Sequence, residues 1–152
     1  MSTRITIEQR GPTPGVMKRE QNAMSKTSFE AVGKFWGNEI RPKHFQVSAT
    51  AEYGYRRREP GYTRRKQAQY GHRRPFVFTG ESEQRSKSFR VYATRSYALV
   101  TMNMPALNFF GGSEEFAVVT QAEAEACAAV YEKTYDEELV KLERERSVET
   151  VT

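Results

Sequence analysis

Cysteine and histidine are almost missing from this chain, and their scarcity removes most of the chemistry a protein of this size could carry. Cys127 stands alone among 152 residues, which excludes an intrachain disulfide and falls short of any cysteine-based metal pattern. A lone thiol in a helical stretch reads as a packed side chain. Only His44 and His72 are present. Catalysis by a nucleophile or a general base needs an activated group with a partner in hydrogen-bond reach, and histidine is the usual proton carrier near neutral pH. Neither histidine belongs to a His-Glu-x-x-His, Cys-x-x-Cys, Gly-x-Ser-x-Gly or Gly-Lys-Ser/Thr arrangement. Gly111-Gly112 reads as a flexible turn. The expectation is a protein without a catalytic centre, a metal or a cofactor. Long apolar runs are missing too. Nothing approaches the roughly 20 apolar residues of a membrane span, and Met1 to Arg10 lacks the apolar run of a secretory signal, so the chain is expected to be made and kept in a cytosol, away from membranes. Internal repeats and low-complexity blocks are likewise absent.

What the chain does have is charge, unevenly placed. Its net charge of +5 conceals a basic middle, residues 41–90 with thirteen basic and four acidic groups, and an acidic end, residues 113–152 with four basic and eleven acidic. Such segregation suits a polyanion partner, or copies that meet basic face to acidic face. The aromatic share of 12% argues against disorder, and the length fits one domain over 1–152. Extended arms are expected at 1–14 and 146–152.

Along the chain, residues 3–8 alternate and read as a short strand before Gly11-Pro12. Val32, Trp36 and Ile40 make an i, i+4, i+8 stripe, which predicts a helix from about 15 to 40, open to a break near Ser25 to Ser28 and ended at Arg41-Pro42. A short helix fits 61–70, between Gly61 and Gly71. Pro75-Phe-Val-Phe78 reads as an apolar strand. Ser88–Ala93 and Tyr97–Met102, joined by Thr94-Arg95-Ser96, suit an antiparallel hairpin. The loop 103–113 carries Leu107, Phe109 and Phe110, which either fold back on the core or dock on a neighbour. Thr120-Gln-Ala-Glu123 has capping-box spacing and starts a helix from about 121 to 145. Its stripe of Ala124, Ala128, Tyr131, Tyr135, Leu139 and Leu142 is expected to pack on a sheet drawn from residues 75–102, with the acids of Asp136-Glu-Glu138 facing outward towards the basic segment of an adjacent subunit. The fold class is α+β: a small antiparallel sheet packed against a long N-terminal helix and a C-terminal helix.

The segment 41–74 is the candidate interface. Tyr53, Tyr55, Arg56, Arg57, Arg58, Tyr62, Arg65, Lys66, Arg73 and Arg74 interleave aromatic rings with cations, and Phe109 and Phe110 join them as candidate contacts. Interfaces concentrate binding energy in Tyr, Trp and Arg. The same interleaving fits a single-strand nucleic-acid binder, with arginines on phosphates and tyrosines on bases. Composition alone leaves the two readings nearly even.

A resemblance enters at Ile40 to Glu81. His44-Phe45, Tyr53-Gly-Tyr-Arg-Arg-Arg58, Tyr62, Arg65-Lys66 and Gly71-His-Arg-Arg-Pro-Phe-Val-Phe-Thr-Gly-Glu81 resemble the signature of the tailed-phage virion morphogenesis or tail completion family. Tyr97-Ala98 and Phe116-Ala-Val-Val119, read as a short apolar strand before the Thr120 cap, extend the likeness across roughly residues 30–145. Phe76 stands where that family usually has leucine, and Ser82 where an apolar residue commonly follows the glutamate. The resemblance implies a structural subunit of the head-tail joining, neck or proximal tail region, working in the virion as a ring of six or twelve identical copies after assembly in the host cytoplasm. It implies no catalytic centre and no cofactor. Its partners would be identical subunits and other neck, connector or tail tube proteins, and a basic inner wall would face DNA in the channel without sequence preference. Two other readings stand beside it: a basic nucleic-acid-binding accessory protein, and an assembly chaperone absent from the virion.

Overall fold

Thr13 and Pro14 start the first helix. The Thr13 hydroxyl accepts from the Val16 amide at 3.4 Å, and Pro14 sits in a first turn whose amide would be unpaired anyway. The computed structural model describes residues 13–104 and 112–149, and in it α1 spans Pro14–Phe35. No break occurs near Ser25 to Ser28, where the Thr27 and Ser28 hydroxyls donate back to the carbonyls of Ala23 and Met24. Beyond Phe35 the path stays helical but changes pitch, widening to a π turn over Trp36–Ile40 and tightening to a 3-10 turn over Arg41–Phe45. The end expected at Arg41-Pro42 is thus deferred. Pro42 falls in the first turn of the new segment, and Arg41 keeps helical angles although a proline follows. Its side chain anchors it there, with Nε donating to the Gly37 carbonyl at 2.8 Å and Nη1 to Ser86 Oγ at 2.6 Å.

The remaining elements are α2 Ala49–Glu52, α3 Pro60–Tyr70, α4 Glu81–Ser86, β1 Arg90–Ala93, β2 Ala98–Thr101, α5 Gly112–Phe116 and α6 Gln121–Glu149. The architecture is α+β, mostly helical, with a two-stranded antiparallel sheet in which Val91 faces Val100 and Ala93 faces Ala98. α3 ends as expected on Gly71, whose positive φ of 72° lets its amide reach the Gln67 carbonyl. Pro75-Phe-Val-Phe78 is not a strand. Phe76 has a φ of 55°, and this left-handed residue breaks the alternation, so that Phe76 and Val77 are both buried. Phe116-Ala-Val-Val119 is not a strand either: Phe116 ends α5 inside the core, while Val118 and Val119 are exposed. The expected sheet over 75–102 is therefore the hairpin β1–β2 alone. The predicted strand at 3–8 and the residues Leu107, Phe109 and Phe110 lie outside the described residues. Of the expected arms, Pro14 and residues 146–149 are helical.

α1 carries the hairpin on one face and α6 on a neighbouring one. The hairpin side is close: a Cβ on Gly33 would lie 2.5 Å from Val91 Cγ1, and one on Gly37 would lie 2.3 Å from the Phe89 ring. α6 runs antiparallel to α1, with Glu123 beside Lys43, Tyr131 bonded to Ser25 and packed edge-on to Phe29, and Arg146 paired with Glu20. The capping box is present, Thr120 Oγ1 accepting from the Glu123 amide at 3.3 Å and Glu123 Oε2 from the Thr120 amide at 3.0 Å. The expected register of α6 is met only in part. Tyr131, Tyr135 and Leu142 are half-buried as expected, but Ala124 and Ala128 are exposed and Leu139 is 38% exposed, and Glu123, Cys127, Thr134 and Glu138 turn inward in their place; the helix packs chiefly along α1. Burial of Glu123 by Tyr53 and Lys43 sets that rotation. Glu137 is exposed, as expected. The main core joins Phe45, Ala49, Tyr53, Tyr55, Phe76, Val77, Met104 and Phe116, with Trp36 packed on it.

The close approach of α1 to the hairpin can be tested by adding one carbon. Gly33→Ala and Gly37→Ala are each expected to lower stability by about 1–3 kcal/mol through overpacking, although alanine is the better helix former. Gly15→Ala, which meets nothing within 4 Å, should leave stability unchanged or raise it. Urea denaturation of the three variants measures this, and a gain at all three would show that α1 is not pinned to β1.

Candidate interface: a basic aromatic cleft

The site is built outward from His44. Its ring is fully buried, stacks on Tyr53 at 4.0 Å with an interplanar angle of 13°, and lies 4.7 Å from the Phe116 ring. Nδ1 shares a hydrogen bond with the Tyr55 hydroxyl. Burial pushes the imidazole down to about 4, with Glu123 only partly opposing, so it is neutral at pH 7. The Tyr53 hydroxyl donates to Glu123 Oε1 at 2.7 Å. Burial alone would raise the Glu123 carboxyl, but hydrogen bonds from Tyr53, Thr120 and Lys43 outweigh it and hold the group below its ordinary value. Both phenols are raised, first by burial. The 3-10 turn, residues 53–55 and the start of α6 are thereby tied together.

On this base stands a cleft of about 830 Å³ between α3, the chain at 55–59 and the turn at 73–78. Tyr55, Phe76, Tyr62 and Phe78 supply its apolar wall, and Arg56, Arg57, Arg58, Arg65, Lys66 and Arg73 its charge, with Glu59 the one carboxylate among the lining residues described. Glu115 secures the rim: Oε1 accepts from the Arg56 amide and Oε2 from Arg58 Nη2, each at 2.7 Å. Lys66 is 7% exposed. Its ammonium donates to the Arg74 carbonyl at 2.5 Å and lies 4.7 Å above the Phe78 ring, yet no carboxylate among the described residues is within ion-pair distance. Burial, then the charges of Arg58 and Arg74, push its pKa down to about 8. The arrangement suits anion binding beside an aromatic face.

Of the residues expected at an interface, Arg56, Arg57, Arg58, Tyr62, Arg65 and Arg73 line the cleft mouth and walls. Tyr53, Tyr55 and Lys66 are buried, and the first two belong to the core. Tyr55 and Lys66 nevertheless line the cleft. Arg74 turns inward, Nε donating to the Phe45 carbonyl at 2.9 Å and Nη2 to Glu83 at 2.7 Å. Phe109 and Phe110 lie outside the described residues. Phe78, which the reading of 75–78 as a strand did not single out, is a cleft residue, 41% exposed. The signal for it was the clash between a short apolar run and the Arg-Pro and Thr-Gly pairs flanking it. Cys127 lines an apolar pocket of about 540 Å³ with Trp36 and Val100, and burial raises its thiol.

Among the described residues no group of three His, Cys, Asp or Glu could hold a metal ion, and no helix is long and apolar enough to cross a membrane. No family model, curated protein or solved structure matches the chain.

Two buried bases make the fold pH-sensitive in separate windows. Each has a folded-state pKa below its ordinary value, so its contribution is present above the unfolded pKa and lost as pH falls through the folded one. For His44 the window runs from about 6.5 down to about 4. Stability is expected to fall by up to about 1.4 kcal/mol per pH unit between pH 6 and 5, and His44→Phe, less stable at pH 7, should lose that slope. For Lys66 the window runs from about 10.5 down to about 8. Raising the pH through it should stabilise the parent relative to Lys66→Met. Urea midpoints across both ranges check these outcomes, and parallel profiles for parent and variant would show that the residue is not buried in its basic form.

Proposed function

We propose that this chain is a non-enzymatic structural subunit of a tailed bacteriophage, a ring-forming tail completion or neck protein that joins or finishes the tail. The observation that carries this reading is the use to which the family-like residues are put. His44 stacks on Tyr53 and shares a hydrogen bond with Tyr55, while Arg74, some thirty residues on, donates to the Phe45 carbonyl, and beside them stands the basic cleft. A signature of this kind specifies a shape for a partner. A closed ring of identical copies needs a heterologous interface, one face of each subunit meeting a different face of the next. The basic middle and acidic end supply two unlike faces.

A second reading is favoured by the rings of Tyr62 and Phe78 beside unpaired arginines, which suits a nucleic-acid-binding accessory protein. Duplex contact in a neck channel would be electrostatic, falling steeply with salt and indifferent to sequence. An assembly chaperone that leaves before maturation is a third.

The test is direct. Purified particles carrying a labelled copy of the protein, imaged by electron microscopy, are expected to show label at the head-tail junction or the upper tail. Absence from mature virions, with presence on assembly intermediates, would sink the structural reading in favour of the chaperone. A site-specific footprint on DNA at moderate salt would favour the nucleic-acid reading instead.

A further inference from the structure

Two surfaces of this chain are each incomplete, and their chemistry matches. Arg56, Arg57, Arg65 and Arg73 are exposed in the cleft and make no ion pair among the described residues. Beneath them the buried Lys66 ammonium has a carbonyl and a ring but no anion. A buried cation without a counter-charge is unfavourable, and a carboxylate brought to it would be held strongly. Exposed Phe78 and Val47 add apolar surface to the same cleft.

The second surface is the outer side of α6. Glu132, Asp136, Val140 and Glu143 recur at i, i+4, i+8 and i+11, which puts them on one stripe of the helix. All four are exposed, and the three acids make no ion pair among the described residues. Val140 is 44% exposed, with exposed Leu139 beside it. An apolar pair set among unpaired carboxylates is the counterpart of apolar rings set among unpaired arginines.

The chain cannot bring these surfaces together by itself. Glu123 lies against Lys43 and Tyr53, next to the wall of the cleft. From there α6 runs along α1 towards Ser25 and Glu20, and at about 1.5 Å per residue the stripe lies some 14 to 30 Å further on. A helix is about 10–12 Å across with its side chains, so a cleft of about 830 Å³ would take the ridge of the helix and not the whole cylinder.

We propose that the cleft of one copy receives the Glu132–Glu143 stripe of α6 from a second copy. The contact is heterologous, each copy offering one cleft and one helix, so that repetition propagates in one direction and closes into a ring if the rotation permits. It names the partner of the cleft and rests on the ring-forming reading above.

The test uses the full chain in sedimentation velocity, with two neutralising triple variants whose altered residues are all exposed. One carries Arg57→Gln, Arg65→Gln and Arg73→Gln; the other carries Glu132→Gln, Asp136→Asn and Glu143→Gln. The parent should associate at low salt and dissociate as salt is raised. Each variant, shown folded by circular dichroism, should self-associate at least about tenfold more weakly, a loss of about 1.4 kcal/mol in binding. Mixed in equal amounts they should form a one-to-one pair and no larger species, because the mixture retains one intact cleft and one intact helix. A parent that stays monomeric at low salt, variants that assemble like the parent, or a mixture no larger than its components would each overturn the pairing. Binding of an oligo-thymidine by a monomeric parent, lost in the arginine variant, would assign the cleft to single-stranded nucleic acid. The pairing and the neck reading fail separately: label on particles without self-association sinks only the pairing, and self-association without label on particles sinks only the neck reading.

Discussion

His44 sits where no water reaches it, stacked on one tyrosine and hydrogen-bonded to another, with Phe116 closing the remaining side. A buried imidazole is tolerable there only if it stays neutral, and burial sees to that. The consequences spread through covalent neighbours. The π turn and the 3-10 turn after α1 alter the helical pitch, and the new pitch places His44 and Phe45 together inside the core. Tyr53 passes the constraint on to Glu123, and Glu123 fixes the rotation of α6 from its first turn. Tyr55 passes it to the cleft, of which it is a wall. The base of the cleft and the start of the last helix thus depend on one ring staying in place.

The basic middle of the chain is sorted by the same fold. Arg41 and Arg74 are spent inside, on carbonyls and on Ser86 or Glu83. Arg58 is held by Glu115 at the rim. Exposed ion pairs of that sort add little stability, roughly 0–1 kcal/mol each, but this one positions the strand of chain that carries Arg56 and Arg57. Of the exposed cations left without an ion pair among the described residues, Arg56, Arg57, Arg65 and Arg73 gather at one cleft, with Lys66 below them, while Arg64, Lys87 and Arg90 lie outside it. Net charge alone could not have located this excess, since it counts buried and exposed arginines alike.

Local chemistry was legible in the sequence, and tertiary choices were not. α3 between its proline and glycine, the hairpin β1–β2 and the Thr120–Glu123 box all read correctly because the residues that decide them lie within a few positions of one another. The short apolar runs at 75–78 and 116–119 were misread as strands, an ambiguity inherent in four apolar residues. At 75–78 the outcome turned on the left-handed angles of Phe76, and at 116–119 on Phe116 closing over His44. The register of α6 was read only in part: Tyr131, Tyr135 and Leu142 lie on the packed face, but an acid, Glu123, is buried where the apolar pattern had placed Ala124. For the candidate site, the Arg/Tyr segment was the right place, yet its members divide by a criterion that spacing does not carry. Tyr53 and Tyr55 alternate as a strand face would and both turn in; Arg57 and Arg73 stay out.

Phe76 shows why the cleft should be stiff. A bulky residue in the left-handed region costs about 1–3 kcal/mol and persists only where its surroundings over-determine it. Here the surroundings are the Tyr55 ring at 5.2 Å and the Phe116 ring at 5.5 Å, both edge-on, and both rings also lie against His44. The strain is therefore carried by the core that seals the imidazole, and relaxing it would require Tyr55 to leave both His44 and the cleft wall. A wall so constrained has few alternative arrangements to give up when a partner arrives, and binding costs fall accordingly. The arginines around it are long and exposed, so in the proposed contact the ordering entropy would fall on the rim. A stiff aromatic floor with adaptable charges above it favours a partner that presents a fixed ridge, as a helix does, over one that must itself be ordered on binding.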